Sequence, residues 1–298
     1  MNGAFILLNP TAGRGKGRGL ERPLAEQARR MGWDVVVRVT HRAGEEVELA
    51  AEARIAGWPV VVAVGGDGTV HGTVNGLLAD GPTAVTLAHV PVGTGNDYAR
   101  TLGLRPAPVP ENLERVLSGQ RHLFDVGRTI NEYFVNGMGV GFDAEVVRQT
   151  LRMSGLTGFP LYLAAVLRTF GAFAPPDLEV AALEHRERGR MMMCNVSIGF
   201  TQGGGFRLAP GASPADGLLD VCLIRRVNLP KFLRYLPRVV RGTHVTLPEV
   251  TLFRTSRMTL TGLSDPLAVQ LDGELRYPED NTIEVEILPR QLHVLCVG

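Results

Sequence analysis

The sequence predicts a two-part α/β chain, with an N-terminal parallel sheet covered by helices and a larger, mostly antiparallel β-rich part after it. Three observations predict this fold class. In the first third, apolar strand-like runs alternate with helical patterns. Two glycine-rich turns follow two of these runs directly. The Pro-rich stretch 105–110 then interrupts the pattern, and after about Leu123 apolar residues recur at every second position. We therefore expect a domain boundary near residue 123.

The elements of the first part follow from this alternation. Each apolar run of strand length leads into a segment with apolar residues at helical spacing, which is typical of a parallel sheet with crossover helices. One helix begins after Thr69, where Val70, Val74 and Leu77 share a side. The predicted strands cover residues 4–8, 33–39, 60–64 and 84–90, and the other predicted helices cover about 19–31, 45–56 and 97–102.

The second part shows a twofold period. Apolar and polar residues alternate over 194–200, 267–272 and 281–287, which predicts half-buried strands of an antiparallel sheet or sandwich. Two helical patterns, near 160–173 and 229–241, interrupt these strands.

Composition narrows the class of protein. With 298 residues, 45% apolar residues and a formal charge of +1, the chain is globular, and nothing in its charge indicates a nucleic-acid partner. The cysteines Cys194, Cys222 and Cys296 are far apart, so we expect reduced thiols rather than a disulfide or a zinc site. The N-terminus resembles a first strand, not a signal peptide, and the apolar segment 156–174 contains Pro160 and Arg168. We expect a cytoplasmic protein.

The most informative motif is Gly65-Gly66-Asp67-Gly68-Thr69, which lies between a predicted strand and a predicted helix. Glycines let backbone N–H groups approach an anion closely, and the helix N-terminus adds partial positive charge, so the turn suits a phosphate. A carboxylate such as Asp67 is repelled by phosphate oxygens unless a divalent cation bridges them or the carboxylate takes up a proton. This combination favours phosphoryl transfer over passive nucleotide binding.

Two further turns belong to the same edge of the predicted sheet. Asn9-Pro10-Thr11-Ala12-Gly13 follows the first strand, and Gly93-Thr94-Gly95-Asn96-Asp97 follows the fourth. Ligands of open α/β sheets collect at the carboxyl ends of the strands. The first turn alone is equally compatible with an ordinary loop, and the sequence contains neither a Walker-type P-loop nor Gly-x-Gly-x-x-Gly after a candidate strand.

Several motifs occur in a fixed order over nearly the whole chain, and together they resemble one family. Besides the three turns, they are Asn136 with Gly139-Val140-Gly141-Phe142-Asp143, Asp216-Gly217-Leu218-Leu219-Asp220 and Asp272-Gly273-Glu274. The set resembles the soluble bacterial diacylglycerol kinases and related lipid kinases, a group that includes the catalytic region of sphingosine kinases. The resemblance implies a Rossmann-like nucleotide domain over 1–123, to which 289–298 return, and a β-rich lipid domain over 124–288.

The resemblance also implies site residues. Glu274 matches the general base that takes the proton of a lipid hydroxyl, and Asp67 is the second expected catalytic residue. We expect Asp272 and Glu274 on one face of a strand. A polar hairpin tip is the alternative to a catalytic role of this tripeptide. ATP contacts are implied for Asn9, Pro10, Thr11, Ala12, Gly13, Thr40, Gly66, Asp67, Gly68, Thr69, Val70, His71, Gly72 and Thr94.

Magnesium is the second implied cofactor. The positions that match a structural Mg²⁺ site are Asp216 and the carbonyls of Ser213 and Leu218, a mixture of oxygens that suits a hard cation, although an Asp-Gly turn is the alternative. Asp97 and Asp125 are further carboxylates for a catalytic Mg²⁺, directly or through water. We expect Asp143 to cap a helix N-terminus.

The expected acceptor is a lipid alcohol, for which the sequence leaves diacylglycerol, other glycerolipids, sphingoid bases and prenyl-type alcohols open. Apolar side chains on one side of 156–173 could line an acyl slot or simply pack onto the β-rich domain. A homodimer is also allowed. The rival functions are an NAD kinase-like phosphotransferase and a non-catalytic nucleotide-sensing module.

A basic segment predicts a transient peripheral membrane surface, with a solvated helix face as the alternative. The residues of this segment are Arg225, Arg226, Lys231, Arg234, Arg238 and Arg241.

Overall fold

The structure is a computed structural model that describes residues 2–153, 155–156, 158–264 and 266–297. The chain divides into two units, Met1–Asp125 with Pro289–Gly298 and Val126–Leu288. Each unit has its own strands, helices and buried side chains, and the site residues fall in both. Two strands, β5 Gln120–Thr129 and β15 Thr282–Cys296, run through the unit boundaries.

The first unit is built on a parallel sheet covered by helices. Its elements are β1 Asn2–Leu8, α1 Ala12–Gly15, α2 Glu21–Arg30, β2 Trp33–Val39, α3 Glu45–Ile55, β3 Val60–Gly65, α4 Asp67–Leu77, β4 Thr86–Pro91, α5 Asp97–Thr101 and α6 Val109–Leu117. The strand order is β2-β1-β3-β4-β15, in which the last strand contributes its C-terminal residues. All six residues of β3 are buried, as the continuous apolar run predicts for a strand covered on both faces.

The directions of the parallel strands show which edge of the sheet carries the three predicted turns. β1, β3 and β4 run in the same direction, so their carboxyl ends lie at one edge of the sheet. Strand β4 also pairs in parallel with the end of the chain, where His293 lies opposite Thr86. The turns that follow these three strands are therefore neighbours, as the alternation of strands and helices predicts.

The second unit is antiparallel and rich in strands, and its fold class matches the prediction. Its elements are β6 Glu132–Phe134, β7 Gly137–Gly141, α7 Phe142–Arg152, α8 Gly158–Phe170, β8 Asp177–Ala182, β9 Arg186–Ser197, β10 Leu219–Arg225, α9 Leu229–Arg241, η1 His244–Thr246, β11 Val250–Thr255, β12 Arg257–Gly262, β13 Val269–Leu271 and β14 Glu274–Arg276. The long strand β9 pairs with β8 through its first half and with β7 and β10 through its second half.

One apolar core joins the strands of the second unit. Buried residues of β7, β8, β9, β10, β12, β13 and β15 meet in it, among them Val140, Val196, Val221, Leu260 and Val285. The twofold alternation is the sequence signal of such half-buried strands.

A second apolar cluster lies under the helices of this unit and is rich in aromatic rings. Phe142 of α7 contacts the rings of Phe170, Phe173 and Phe232 at centroid distances of 6.4, 5.3 and 5.8 Å. Helix α9 begins at an Asn228 cap, whose side chain accepts a hydrogen bond from the backbone N–H of Lys231, and ends before a glycine with φ of +72°. These local signals explain why its predicted bounds match the structure.

The packing of α8 agrees in part with the predicted apolar side. Val166 is buried, and Phe159, Phe170 and Phe173 are partly buried against the aromatic cluster, whereas Leu167 is exposed. Leu161, Ala165 and Thr169 are buried as well. No helix in the described part of the chain has the length and apolar character needed to span a bilayer.

Candidate functional site

The first two turns of the first unit are joined by Asn9. Its backbone N–H donates to the Val64 carbonyl at 3.0 Å, and its Nδ2 donates to the Thr69 hydroxyl at 3.1 Å. The Asn9 Oδ1 accepts hydrogen bonds from the backbone N–H and the hydroxyl of Thr11 at 3.0 and 2.8 Å. The side chain thus shapes its own turn and fixes it to the next one.

The second and third turns are joined through the Gly65 carbonyl. It accepts hydrogen bonds from the backbone N–H groups of Val92 and Gly93 at 2.8 and 3.2 Å. A methyl group on Gly93 would overlap the Cα of Gly66, so only glycine allows the two turns to approach this closely. A methyl group on Gly13 would likewise overlap the Val92 carbonyl oxygen. All three turns are therefore held together in the first unit.

Asp67 is the first residue of α4 and lies among these turns. Gly66 precedes the helix in an extended conformation, and residues 66–68 are only partly buried. The Asp67 Oδ1 accepts a hydrogen bond from the backbone N–H of Tyr98 at 3.1 Å. The first amides of any α-helix have no acceptor within the helix, so the N-terminus of α4 presents donors beside a carboxylate. This arrangement suits a phosphate with a divalent cation.

The remaining residues of this motif are deeper in the fold. Thr69, Val70 and His71 have buried side chains, and a methyl group on Gly72 would overlap the side chain of Glu46. His71 lies 3.5 Å from the Asn75 amide through its Nε2. A ligand at this turn therefore meets mainly the backbone of residues 66–68.

Two more predicted carboxylates are engaged with neighbours in the first unit. Asp97 is buried, and its Oδ1 lies 2.9 Å from a guanidinium nitrogen of Arg100, which also donates to the Gly95 carbonyl at 2.8 Å. Asp125 is buried, and its Oδ1 accepts the backbone N–H of Arg290 at 2.8 Å. Asp125 thus fastens the returning C-terminal segment.

Thr40 and Thr94, the two isolated residues of the implied ATP set, both lie in the first unit. Thr40 follows β2 directly, is buried, and donates its backbone N–H to the Leu8 carbonyl at 2.9 Å. Thr94 is partly buried in the third turn. The exposed side chains of Arg14, Lys16 and Arg18 follow the first turn and add positive charge there.

Sequence reasoning missed His89 of β4, which is fully buried behind these turns. Its Nε2 lies 3.3 Å from the Gly65 carbonyl oxygen, and its ring stacks on Tyr98 at a centroid distance of 6.4 Å. Burial lowers the pKa of His89 from 6.5 to about 4, so the imidazole is neutral near pH 7. The only sequence signal is a histidine inside an apolar strand.

In the second unit, Glu274 is exposed at the first position of β14, whereas Asp272 is buried. The prediction that both project from one face of a strand is wrong. Residues 272–273 form the turn between β13 and β14, and Asp272 adopts a left-handed conformation with φ of +48°. Strand alternation does not continue through a turn of this kind, so the two side chains have different surroundings.

The predicted structural Mg²⁺ residues lie in the loop before β10. The Asp216 Oδ1 accepts the backbone N–H of Leu218 at 3.1 Å, and its Oδ2 lies 3.8 Å from a guanidinium nitrogen of Arg254. Arg254 also contacts Asp220 at 2.9 Å and donates to the Gly211 carbonyl at 2.7 Å. Burial raises the pKa of Asp220.

This loop offers oxygen donors of the type that a hard cation takes. Asp216 is exposed, Ser213 is partly buried, and a buried oxygen of Asp220 has no hydrogen-bond partner among the described residues. The donor chemistry is compatible with Mg²⁺, although Arg254 already brings one positive charge to the loop. Across the described ranges no group of three or more His, Cys, Asp or Glu side chains is arranged to hold a metal ion.

Asp143 does not cap α7 as predicted. The residue before the helix is Gly141, and the Asp143 Oδ2 instead accepts hydrogen bonds from the side chains of Asn195 at 3.3 Å and Gln270 at 3.0 Å. The tight glycine turn starts the helix two residues earlier than an Asp143 cap would, which leaves Asp143 inside its first turn. The buried amides of Asn195, Gln202 and Gln270 form a network that sequence reasoning missed.

Comparison with known proteins gives two matching family models. The "Diacylglycerol kinase catalytic domain" matches residues 3–129, and the "YegS C-terminal NAD kinase beta sandwich-like domain" matches residues 136–296. A diacylglycerol kinase of Mycobacterium tuberculosis is 30% identical over 297 residues, which cover 97% of this chain and 93% of the relative. A diacylglycerol kinase of Bacillus subtilis is 28% identical over 275 residues, which cover 92% and 90%.

Solved structures support the fold. A crystal structure of a Bacillus anthracis protein matches with a TM-score of 0.81 at 20% identity, covering 99% of this chain and 97% of the other. An NAD kinase from Archaeoglobus fulgidus in complex with ATP matches with a TM-score of 0.55 at 14% identity, covering 99% and 94%. At these identities the likeness concerns the fold alone.

Proposed function

Because the chain belongs to the diacylglycerol kinase catalytic-domain family and is a kinase-like phosphotransferase, we propose that it transfers the γ-phosphate of ATP to the hydroxyl group of diacylglycerol or a related lipid alcohol. The observation that carries the proposal is the set of three hydrogen-bonded turns around the N-terminus of α4, with Asp67 among them. Such an arrangement binds phosphates and places a carboxylate beside them.

The proposed nucleotide site uses main-chain donors and charge. The backbone N–H groups of residues 66–68 and the α4 dipole bind phosphate oxygens, and Arg14, Lys16 and Arg18 neutralise further negative charge. Thr40, directly after β2, and Thr94, in the turn after β4, are proposed nucleotide contacts. The proposed ATP contacts are residues 9–13, Thr40, residues 66–72 and Thr94.

The proposed chemical step needs a base and a cation that neutralises negative charge on the phosphates. The lipid hydroxyl gives its proton to Glu274, its oxygen bonds to the γ-phosphorus, and the bond from this phosphorus to the bridging oxygen breaks to leave ADP. Magnesium, when bound, neutralises charge on the phosphate oxygens. Asp67 is the proposed holder of that ion, with Asp97 and Asp125 acting directly or through water.

We assign a second, structural Mg²⁺ to Asp216 and the carbonyls of Ser213 and Leu218. The support is the donor chemistry of the loop and the buried Asp220 oxygen beside it. Adding Mg²⁺ should raise the thermal unfolding temperature of the parent, and Asp216→Asn should abolish that rise. An equal rise in both proteins would remove Asp216 from the metal site.

The proposed membrane surface is the outer side of α9 and the residues before it. Arg225 pairs with Glu187 and Lys231 with Glu249, so these two cations are already partly neutralised. Arg226, Arg234 and Arg241 are exposed, and Leu229 and Leu233 on the same helix are about half exposed. Exposed leucines beside arginines suit an anionic membrane interface.

Sedimentation with vesicles tests this surface. The parent should sediment with vesicles that contain phosphatidylglycerol at low salt and release at high salt, because exposed charges are screened. Arg234→Glu should weaken binding, whereas Arg22→Glu on α2, also exposed, should not. Absence of binding at low salt would contradict the proposal. Sedimentation velocity of the parent protein without vesicles tests the homodimer.

Transfer of labelled γ-phosphate decides between the functions. The parent, with Mg²⁺ and ATP, should phosphorylate one or more members of a panel of diacylglycerol, sphingosine and prenyl alcohol in mixed micelles, and should leave NAD unmodified. Phosphorylation of NAD alone would establish the rival kinase. Nucleotide binding without transfer to any acceptor would establish the sensing module.

Two variants test the proposed catalytic residues. Asp67→Ala should lower turnover about a thousandfold with the fold intact, the scale of a lost electrostatic group in an active site. Glu274→Gln keeps the shape of the side chain but removes the base, so a loss of about 10²–10⁴ is expected. Parent-like turnover in either variant would remove that residue from the mechanism, and far-UV circular dichroism checks the fold.

A further inference from the structure

The turn that precedes Glu274 contains a buried carboxylate with no assigned role. Asp272 is only 7% exposed, although it belongs to a hairpin turn two residues before the exposed Glu274. Its φ of +48° is a conformation that residues other than glycine adopt rarely. A buried carboxylate in a left-handed conformation persists only where its surroundings hold it firmly.

Three consecutive backbone N–H groups hold the Asp272 carboxylate. Its Oδ2 accepts from Val135 at 3.0 Å, and its Oδ1 accepts from Asn136 and Gly137 at 2.9 and 3.0 Å. The backbone N–H of Asp272 donates in return to the Gly137 carbonyl at 2.8 Å. Hydrogen bonds of this type to an ionised oxygen are stronger than neutral ones, so the turn is fastened to the start of β7.

A second connection holds the other half of the turn. The backbone N–H of Gly273 donates to the Gln270 Oε1 at 2.8 Å. The Nε2 of Gln270 in turn donates to the Asp143 carboxylate at 3.0 Å and lies 3.2 Å from the Gln202 Oε1. Asp272 and Gly273 are therefore fixed to two different parts of the second unit, and the Cα of Glu274 follows directly.

We propose that Asp272 is a positioning residue that sets the direction of the Glu274 side chain by holding the β13–β14 turn on the amides of residues 135–137. The inference rests on the proposed role of Glu274 as general base. Asp272 does not act on substrate, because its two oxygens are directed at main-chain donors. A base that is misplaced by about 1 Å loses a large part of its effect, so the loss of this anchor should appear in turnover.

The test is a double-mutant cycle of Asp272→Asn and Glu274→Gln, measured as kcat and as KM for ATP and for lipid. Asparagine keeps one acceptor oxygen but points an amide N–H at main-chain donors, so the anchor is weakened. Asp272→Asn should lower kcat about tenfold to hundredfold with KM for ATP unchanged. In the Glu274→Gln background it should cause little further loss, because no base remains to be positioned.

Two additional variants separate positioning from folding. Gln270→Leu weakens the second connection and should show the same lack of further loss in the Glu274→Gln background. Leu260→Ala, a buried change on β12, should lower the unfolding temperature, and any loss of kcat it causes should multiply with that of Glu274→Gln. If Asp272→Asn fails to fold, the Gln270→Leu cycle alone decides.

The outcomes distinguish the two proposals. Parent-like kcat of Asp272→Asn, or losses that multiply with Glu274→Gln, would overturn the positioning role while leaving the lipid kinase activity in place. Parent-like kcat of Glu274→Gln would overturn both the proposed base and the inference. A parent protein that phosphorylates no lipid would overturn the proposed function and, with it, this inference.

Discussion

His89 should make the first unit sensitive to acid, and His89→Leu should remove that sensitivity. The neutral ring can place its hydrogen on Nε2, 3.3 Å from the Gly65 carbonyl oxygen. Its Nδ1 is buried without a hydrogen-bond partner among the described residues. A second proton on Nδ1 would therefore meet no acceptor and no solvent, which is why burial lowers the pKa of His89 from 6.5 to about 4.

The pH dependence of stability follows from the difference between the pKa of His89 in the folded and in the unfolded chain. The unfolded chain takes up the proton near pH 6.5 and the folded unit only near pH 4, so stability is complete above pH 6.5 and falls as the pH drops toward 4. Each pH unit within this window costs about 1.4 kcal/mol. Between pH 7.5 and 4.5 the loss due to His89 is about 2.5 kcal/mol, a large part of the stability of an ordinary domain.

Urea unfolding followed by tryptophan fluorescence measures this loss in the first unit, because both tryptophans of the chain, Trp33 and Trp58, belong to it. Parent and His89→Leu are compared at pH 7.5 and 4.5. The control is Val62→Ala on the neighbouring strand β3, which removes buried volume but no titrating group, so its effect should be the same at both pH values. Equal losses in the parent and in His89→Leu would refute the reasoning.

Three further outcomes are expected. Gly76→Ala should destabilise the first unit by about 1–3 kcal/mol in urea, since its methyl group would overlap the Val47 carbonyl oxygen; a gain in stability would contradict this packing. Asn228→Ala should lower the free energy of unfolding by about 1 kcal/mol in thermal unfolding because the α9 cap is lost, while Asn228→Ser should retain most of the stability; equal losses in the two variants would contradict the capping role of Asn228. A disulfide reagent at pH 8 should label the native chain slowly and the urea-unfolded chain fast, because burial raises the pKa of Cys222 to about 12 and of Cys296 to about 11; fast native labelling that persists in Cys296→Ser would show that the other thiols are accessible.

Local sequence signals predicted the first unit well. Strand β2, Trp33–Val39, has the predicted bounds, and the other predicted helices and strands of this unit differ from the structure by a few residues at their ends. Helices α1 and α6 were not predicted. Parallel strands buried on both faces are continuous apolar runs, and each is bounded by glycine, proline or a cap, so both the type and the limits of the element are encoded locally. The meeting of the three turns also follows, because parallel strands end at one edge.

The limits of the long strands β9 and β15 were harder to predict because pairing with other strands sets them. Strand β9 begins at Arg186, well before the predicted residue 194, since its polar first half is held by pairing with β8. Strand β15 continues to Cys296, past Pro289 and the predicted end near residue 287, because its last residues pair with β4. In both cases pairing with another strand overrides weak local patterning, and for β15 that partner is distant in sequence.

At the site, too, the local sequence shows which residues are present, but their surroundings depend on partners that are distant in sequence. The Asp-Gly-Glu motif shows two acidic side chains, and strand alternation wrongly makes them equivalent. In the structure the two side chains have different surroundings. Both oxygens of Asp272 accept hydrogen bonds from backbone amides about 135 residues away in sequence, whereas Glu274 is exposed at the start of β14. Main-chain donors already occupy both oxygens of Asp272, whereas the exposed Glu274 side chain is accessible to an incoming hydroxyl. This argument favours Glu274 as the base and leaves Asp272 the task of holding it in place.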